Sequence, residues 1–219
     1  MPPEPQRPRS PLCESKAEEL ASTATHALGT ALAIGALVAM ILVADGEVFR
    51  TVSASVFGGT LVLLYLSSTL YHATSCERRK PLLQALDHAC IYLLIAGSYT
   101  PLTLVALRGP WGWSLFGIVW MMAFGGVLLK TLSRGKRDSW WSTALYIVMG
   151  WLAVIAWGPM IRALPVAGVA WMVAGGLCYT LGVIFFSWRR LRFNHAIWHL
   201  FVLAGSACHV IATVLYILR

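Results

Sequence analysis

Three histidines and one carboxylate lie in apolar stretches of the chain at positions where they can bind and use a metal ion. His195 and His199 are four residues apart in the segment NHAIWHL, and His72 ends the segment SSTLYH. Residues four apart share a helix face, with Cβ atoms about 5–6 Å apart, so both imidazoles can reach one ion. Asp87 begins another apolar stretch, LDHAC. Ionisable groups at bilayer depth are costly and usually mark a functional site.

The combination predicts a zinc site with an open position. Three neutral imidazoles leave the fourth position of a tetrahedral ion to water, as in catalytic zinc sites, and zinc lowers the pKa of that water towards about 7. Asp87 can hold the water and accept its proton. Ser68, four residues before His72, can donate a hydrogen bond to the water or to a ligand oxygen. Imidazole ligands also suit copper, iron and nickel.

Each of these signals, taken alone, is also compatible with a structural role. A single His-x-x-x-His pair on an apolar helix is a weak metal signal, and His72 is compatible with an interfacial histidine. Asp87 is compatible with an acid favoured by the positive end of a helix dipole. His88 points about 100° away from Asp87 on a helix and is a packing or supporting residue. His209 lies about 15 Å deeper than His199, too far to share the ion, and either forms a hydrogen bond within the bundle or lines a cavity.

The composition predicts the elements that must position these residues. Of 219 residues, 58% are hydrophobic and 12% are charged, whereas a soluble domain has about 25% charged residues. Stretches of about 20 apolar residues cross a bilayer as helices. Seven such stretches are present, at residues 25–44, 52–74, 86–107, 113–132, 141–160, 165–187 and 196–218. The sequence therefore predicts an all-α, multi-pass membrane protein, a bundle of seven transmembrane helices, expected in the inner (plasma) membrane of a bacterium.

The N-terminal segment differs from the rest of the chain. Residues 1–17 contain five prolines and are predicted to form a disordered cytoplasmic tail, because they hold little that could form a core. Residues 18–219 are predicted to form the transmembrane domain. Glu18 and Glu19 begin its first helical stretch, where they either pair with basic residues at the level of the headgroups or favour the helix start.

The net charge of +8 reflects membrane orientation, and no nucleic-acid partner is expected. With the N-terminus in the cytoplasm and the C-terminus outside, thirteen basic residues fall on inner segments and four on outer segments, as the positive-inside rule requires. The inner residues are Arg7, Arg9, Lys16, Arg78, Arg79, Lys80, Lys130, Arg134, Lys136, Arg137, Arg189, Arg190 and Arg192, and the outer ones are Arg50, Arg108, Arg162 and Arg219. This orientation places His26, His72, Asp87 and the His195/His199 pair at one level, near the inner face.

Four segments resemble the signature segments of the hemolysin III family: EELASTATHALG, SSTLYHATS, LDHACIYLLIAGSYTP and NHAIWHLFVLAGSACH. The family belongs to a seven-span superfamily that includes the progestin and adipoQ receptors and the alkaline ceramidases. The resemblance, over residues 18–218, implies that the second, third and seventh spans lie together around a cytoplasmic-side zinc ion. The implied ligands are His72, His195 and His199, and the implied lining residues are Asp87, acting through water, and Ser68. One position departs from the pattern, because Ser22 stands where the first motif usually has asparagine.

Three functions are compatible with these features. The first is a zinc-dependent hydrolase of a lipid amide or ester, with membrane lipids as substrate or ligand; the open three-histidine site with an acid at bilayer depth favours it. The second is a pore-forming cytolysin, as the family name implies, although a secreted pore former should be soluble before it inserts. The third is a receptor-like or membrane-homeostasis protein in which zinc is structural. The sequence leaves the oligomeric state open.

Overall fold

The computed structural model describes residues 15–132 and 140–219, and these ranges form helices joined by short connections. Seven of the helices are long and apolar enough to cross a membrane. They are α1 (Lys16–Ala44), α2 (Val48–Ala73), α3 (Lys80–Ala106), α4 (Pro110–Leu132), α5 (Trp140–Ala163), α6 (Val166–Ser187) and α7 (Asn194–Ile217). The predicted class, an all-α bundle with seven membrane spans, is confirmed. Residues 1–14 of the predicted tail lie outside the described residues.

Helix α1 begins at Lys16, before its apolar stretch, because a capping box stabilises the N-terminus of the helix. The Ser15 hydroxyl accepts a hydrogen bond from the Glu18 backbone N–H at 3.3 Å, and the Glu18 carboxylate accepts one from the Ser15 backbone N–H at 3.0 Å. These two bonds satisfy backbone N–H groups that have no acceptor within the helix. Lys16 and Ala17, placed in the tail by the sequence, therefore form the first turn of α1. The extension brings both glutamates of the first turn into the helix.

Helix α3 is the central helix of the bundle. In its most apolar 18-residue window 67% of the residues are buried, compared with 17–44% in the other helices. One face, with Tyr92 and Ala96, packs into a hydrophobic cluster with α4, α5 and α6. Another face, with Cys90 and Leu94, packs into a second cluster with α1, α2 and α7. On the first turns of α3, Gln84 and Asp87 are accordingly buried, whereas Leu82 and Leu86 on the opposite face are exposed.

Helix α1 lies against both α2 and α7, and α7 also contacts α2 directly. The direct contact includes a hydrogen bond of 2.7 Å from the Tyr65 hydroxyl on α2 to the Ser206 hydroxyl on α7. Helix α2 also packs along α3. The spans that the family resemblance placed together, α2, α3 and α7, thus meet in the structure. The last turn of α2 and the first turn of α7 lie at the same end of the bundle.

Glycine allows two of these helices to approach closely. A Cβ atom added to Gly126 on α4 would lie 2.5 Å from the ring of Tyr92, a fully buried residue of α3. The neighbouring Gly125 faces outwards, and an added Cβ would meet nothing within 4 Å. Small residues at such contacts are the usual means by which membrane helices pack tightly. The absence of a side chain at Gly126 is therefore needed for the contact between α3 and α4, whereas Gly125 makes no such contact.

We expect Gly126→Val to destabilise the protein and Gly125→Val to leave its stability unchanged. The new side chain at position 126 must displace a buried tyrosine, and overpacking of this kind costs about 1–3 kcal/mol. The measurement is the thermal unfolding of both purified variants in detergent, followed by circular dichroism. Equal unfolding temperatures for the two variants would contradict the α3–α4 contact described here.

Candidate metal centre

Three histidine side chains from two helices converge at one end of the bundle. His72 comes from the last turn of α2, and His195 and His199 come from the first two turns of α7. One ring nitrogen from each residue lies within 4.8 Å of the others. The ring centroids are 4.8 Å apart for His72 and His195, 5.1 Å for His72 and His199, and 4.7 Å for His195 and His199. The cluster is a potential metal site.

A carboxylate of α1 sets the orientation of His72. The Nδ1 atom of His72 lies 2.8 Å from Oε2 of Glu19, and because a carboxylate only accepts, the imidazole donates its Nδ1–H. The other carboxylate oxygen accepts a hydrogen bond from the Lys80 ammonium at the start of α3. A carboxylate on the outer nitrogen is the usual support of a metal-binding histidine. Glu19 thereby fixes the tautomer of His72 and leaves Nε2 available to an ion.

Helix α1 also orients His199. The Thr25 hydroxyl lies 3.2 Å from Nδ1 of His199 and donates its own hydrogen to the carbonyl oxygen of Ala21 or Ser22. The Thr25 oxygen is therefore the acceptor of the His199 Nδ1–H. The opposite nitrogen, Nε2, is again the one that a metal would bind. His72 and His199 therefore both leave Nε2 available to a metal ion.

The start of α7 is held in place by the second glutamate of α1. Phe193, the residue before the helix, has a positive φ of 60°, an unusual conformation for a bulky side chain. Its backbone N–H donates a hydrogen bond of 2.9 Å to Oε1 of Glu18. This bond ties the turn before α7 to the first turn of α1. It thereby fixes the position of the two histidines that follow.

The donor atoms of the three-histidine cluster are suited to binding a metal ion. Nε2 of His72 is buried and has no hydrogen-bond partner in the protein, which is costly unless something outside the chain satisfies it. Bonds of 2.0–2.1 Å to a tetrahedral ion place ligand nitrogens about 3.3 Å apart. The ligand nitrogens of the cluster lie within 4.8 Å of one another, so the three rings must move closer together to bind one ion at this spacing. The donor set, three imidazoles with one carboxylate support, suits a borderline-soft divalent ion.

The predicted acid and hydroxyl lie beside the cluster. Asp87 on α3 and Ser68 on α2 line the same cavity as His195 and His199. Both side chains are buried, and the Ser68 hydroxyl lies beside the Asp87 carboxylate. The structure therefore brings the predicted acid and hydroxyl to the same cavity as two of the clustered histidines. Their roles, like those of the three ligands, stay a prediction.

The cavity has a volume of about 140 Å³ and extends from the histidine cluster into the bundle. All of the described helices except α4 contribute residues to its walls, which are predominantly apolar and aromatic. His88 lines the cavity near Asp87, and His209 lines its deeper part, where its ring stacks on Tyr179 with centroids 5.8 Å apart. Of the two roles that the sequence left open for His209, the structure favours cavity lining.

The sequence did not identify the residues of α1 that support the cluster. Glu19 pairs with the basic residue Lys80, as one reading of the sequence allowed, but its contact with His72 was not foreseen. Thr25 and the hydrogen bond from Glu18 to Phe193 were also missed. The available signal was the position of two adjacent acids at the inner end of a membrane helix, where an unpaired carboxylate is unfavourable.

Comparison with known proteins adds a family match. A family model described as "Haemolysin-III related" matches residues 15–210. "Hemolysin-3" of Bacillus cereus is 45% identical over 203 residues, which is 92% of each chain. "Hemolysin-3 homolog" of Bacillus subtilis (strain 168) is 43% identical over 204 residues, or 92% of this chain and 95% of the relative. "Monocyte to macrophage differentiation factor" of Homo sapiens is 31% identical over 212 residues, or 92% and 85% respectively.

We expect Glu19→Gln to weaken metal binding by about 10- to 100-fold, because loss of such a supporting carboxylate typically has this effect. The measurement is metal content by elemental analysis after equilibration with a series of chelator concentrations in detergent. His199→Ala, which removes a ligand, is expected to contain no stoichiometric metal at any of them. Glu77→Gln makes the same charge change on an exposed loop residue and serves as the control. A Glu19→Gln titration that coincides with the control would contradict this role.

Proposed function

This chain belongs to the haemolysin-III-related family, and we propose that it is a zinc-dependent hydrolase that cleaves the amide or ester bond of a membrane lipid. One observation carries the proposal. The three-histidine cluster opens onto an apolar cavity inside the bundle, and the same cavity is lined by the carboxylate of Asp87 and the hydroxyl of Ser68. A metal with an adjacent acid, a hydroxyl donor and an apolar channel is a combination suited to hydrolysis of a lipid.

Zinc is the metal we propose, because it is commonly bound by three imidazoles with a fourth position left open for catalysis. Within the described residues the cluster consists of three histidines, so the protein leaves room for a water molecule and a substrate oxygen. Zinc bound there would supply Lewis-acid polarisation of a carbonyl group and would acidify water. The residues that would hold it are His72, His195 and His199.

The reaction that we propose uses the side chains around the cavity. Water attacks the carbonyl carbon of the lipid, and Asp87 accepts the proton that the water loses. The Ser68 hydroxyl donates a hydrogen bond to the carbonyl oxygen as negative charge develops on it. The bond from the carbonyl carbon to nitrogen or oxygen then breaks, and Asp87 returns the proton to the leaving amine or alcohol. The products are a fatty acid and a lipid amine or alcohol.

The walls of the cavity supply the binding energy for the acyl chain. Residues such as Ile91 and Leu94 of α3 and Val202 of α7 line it together with several aromatic side chains. Burial of acyl methylene groups against such walls is worth about 0.8 kcal/mol each. Dry walls also strengthen the electrostatic interactions at the reacting end. We therefore propose that the acyl chain lies in the cavity with its carbonyl group at the histidine end.

We further propose that the centre faces the cytoplasm from a bacterial inner membrane. The histidine cluster lies at the end of the bundle where the basic residues Arg78, Arg79 and Lys80 join α2 to α3. Basic residues at this level favour the cytoplasmic side under the positive-inside rule. Lipids of the inner leaflet are then the accessible substrates. If the bundle had the opposite orientation in the membrane, the histidine cluster would face the outside and would act on lipids of the outer leaflet.

The printed name of the Bacillus cereus relative, "Hemolysin-3", favours a second candidate, a pore-forming cytolysin. Liposome leakage separates the two functions, because a pore requires no bond cleavage. Leakage of a small dye from liposomes of ether-linked lipids, which have no ester or amide to hydrolyse, would favour the cytolysin. Absence of leakage at protein concentrations that release fatty acid from ester lipids would exclude it.

We expect Asp87→Asn to lower the rate of lipid hydrolysis by about 10²–10⁴-fold while zinc content is retained, because an amide cannot accept the proton. The measurement is release of fatty acid from a panel of amide-linked and ester-linked lipids, detected by mass spectrometry. Asp45→Asn, at an exposed position just after α1, is the matched control. No release by fully zinc-loaded wild type from any lipid would rule out the hydrolase, and full activity of Asp87→Asn would rule out the proton-accepting role.

A further inference from the structure

A fourth histidine lies against the cluster but is not one of its members. His26 on α1 is 3% exposed, and its ring stacks on that of His199 with centroids 3.4 Å apart and planes 14° apart. The potential metal-ligand group consists of His72, His195 and His199. His26 is therefore one ring layer away from a proposed ligand, and it lines the same cavity as Ser68 and Asp87. The metal site described above leaves its role unexplained.

Both ring nitrogens of His26 are buried and lack a hydrogen-bond partner in the protein. The hydroxyl groups of Tyr65 and Thr25, which lie next to it, are already engaged. The Tyr65 ring meets His26 edge-on at 5.1 Å, but its hydroxyl bonds to Ser206 at 2.7 Å. The Thr25 hydroxyl on the preceding residue bonds to His199. No side chain around His26 is thus placed to satisfy its ring.

Buried polar atoms in native proteins nearly always have a partner, so an orphaned imidazole facing a cavity indicates a ligand or water in that cavity. A neutral imidazole presents one N–H donor and one nitrogen acceptor. The Ser68 hydroxyl lines the same cavity, beside the Asp87 carboxylate. Hydrogen-bonding groups from α1 and α2 therefore border a space next to the histidine cluster. An N–H of His26 directed into this space suits the oxygen atom of a ligand as acceptor.

We propose that His26 is a catalytic residue whose neutral imidazole donates its N–H to the carbonyl oxygen of the lipid at the metal centre. The inference rests on the function proposed above and adds a second donor for the oxygen on which negative charge develops. Preorganised donors aimed at this oxygen typically contribute about 10²–10³-fold to the rate. The stacking on His199 and the edge-on contact with Tyr65 fix the ring plane, so the donor needs no reorganisation during the reaction.

The test compares His26→Phe, which keeps an aromatic ring for the stack but removes the donor, with His26→Gln, which keeps an N–H. Both are purified with zinc and placed in nanodiscs of ether-linked phosphatidylcholine. Three quantities are measured: zinc per chain, equilibrium binding of radiolabelled palmitate as a carboxyl-bearing probe, and hydrolysis of the lipid panel. We expect His26→Phe to keep its zinc, to bind palmitate about 3- to 10-fold more weakly, and to hydrolyse lipid about 10²-fold more slowly. His26→Gln should recover most of the binding.

The outcomes separate this inference from the proposed function. Loss of zinc in His26→Phe would overturn the inference and make His26 a support or ligand of the metal. If His26→Phe binds palmitate as tightly as the wild type, the inference is overturned, and the His26 ring forms hydrogen bonds only with water in the cavity. If the wild type does not bind palmitate at all, the inference is also overturned. Weakened binding in His26→Phe with rescue by His26→Gln, but no hydrolysis by wild type, would support the recognition role of His26 and reject the hydrolase.

Discussion

Ionisable groups at the histidine end of the bundle are partly or fully buried, and a buried polar or charged group is costly unless the protein supplies a hydrogen-bond partner. The first turn of α1 meets this constraint for several elements at once. Glu19 accepts hydrogen bonds from His72 on α2 and Lys80 on α3, and Glu18 accepts one from the backbone before α7. Two adjacent carboxylates thereby join four helix ends. The arrangement of the histidine cluster depends on these contacts.

The same constraint explains the position of the cavity. Helix α3 is enclosed by the two hydrophobic clusters, so Asp87 on its early turns is buried in protein and is shielded from lipid. Among the buried polar atoms of the described residues that lack a partner, Nε2 of His72 and both ring nitrogens of His26 lie at the histidine end. Unsatisfied atoms of this kind are unfavourable. Their position at the cluster is the reason to expect a metal and a ligand there.

The similarity to known proteins covers the whole of the candidate metal centre. The match to the haemolysin-III-related family covers residues 15–210, a range that includes both α1 glutamates, the three clustered histidines, Ser68 and Asp87. The chain matches the human relative at 31% identity over 92% of its own length. The family match and this identity show that the bacterial and human relatives resemble this chain over most of its length. The substituted position, Ser22, is fully buried on α1, and its hydroxyl has no partner.

The sequence by itself determined the seven spans, because each apolar stretch must be long enough to cross the hydrocarbon region and must form its backbone hydrogen bonds internally. It also predicted a common depth for His72, Asp87 and the His195/His199 pair, because the direction of each span follows from the order of the spans. The sequence did not predict that α1 begins at Lys16 and α7 at Asn194, because local contacts at the helix end decide where a helix begins.

The tertiary structure decided which helices are neighbours and which way each side chain points. Hydropathy describes only the position of a residue along its span, so it cannot show that α1 packs against both α2 and α7. For this reason the sequence could place Glu19 and His26 near the start of the first span without revealing their contacts with His72 and His199. Contacts between residues distant in the chain depend on packing of whole helices, and only the folded bundle specifies that packing.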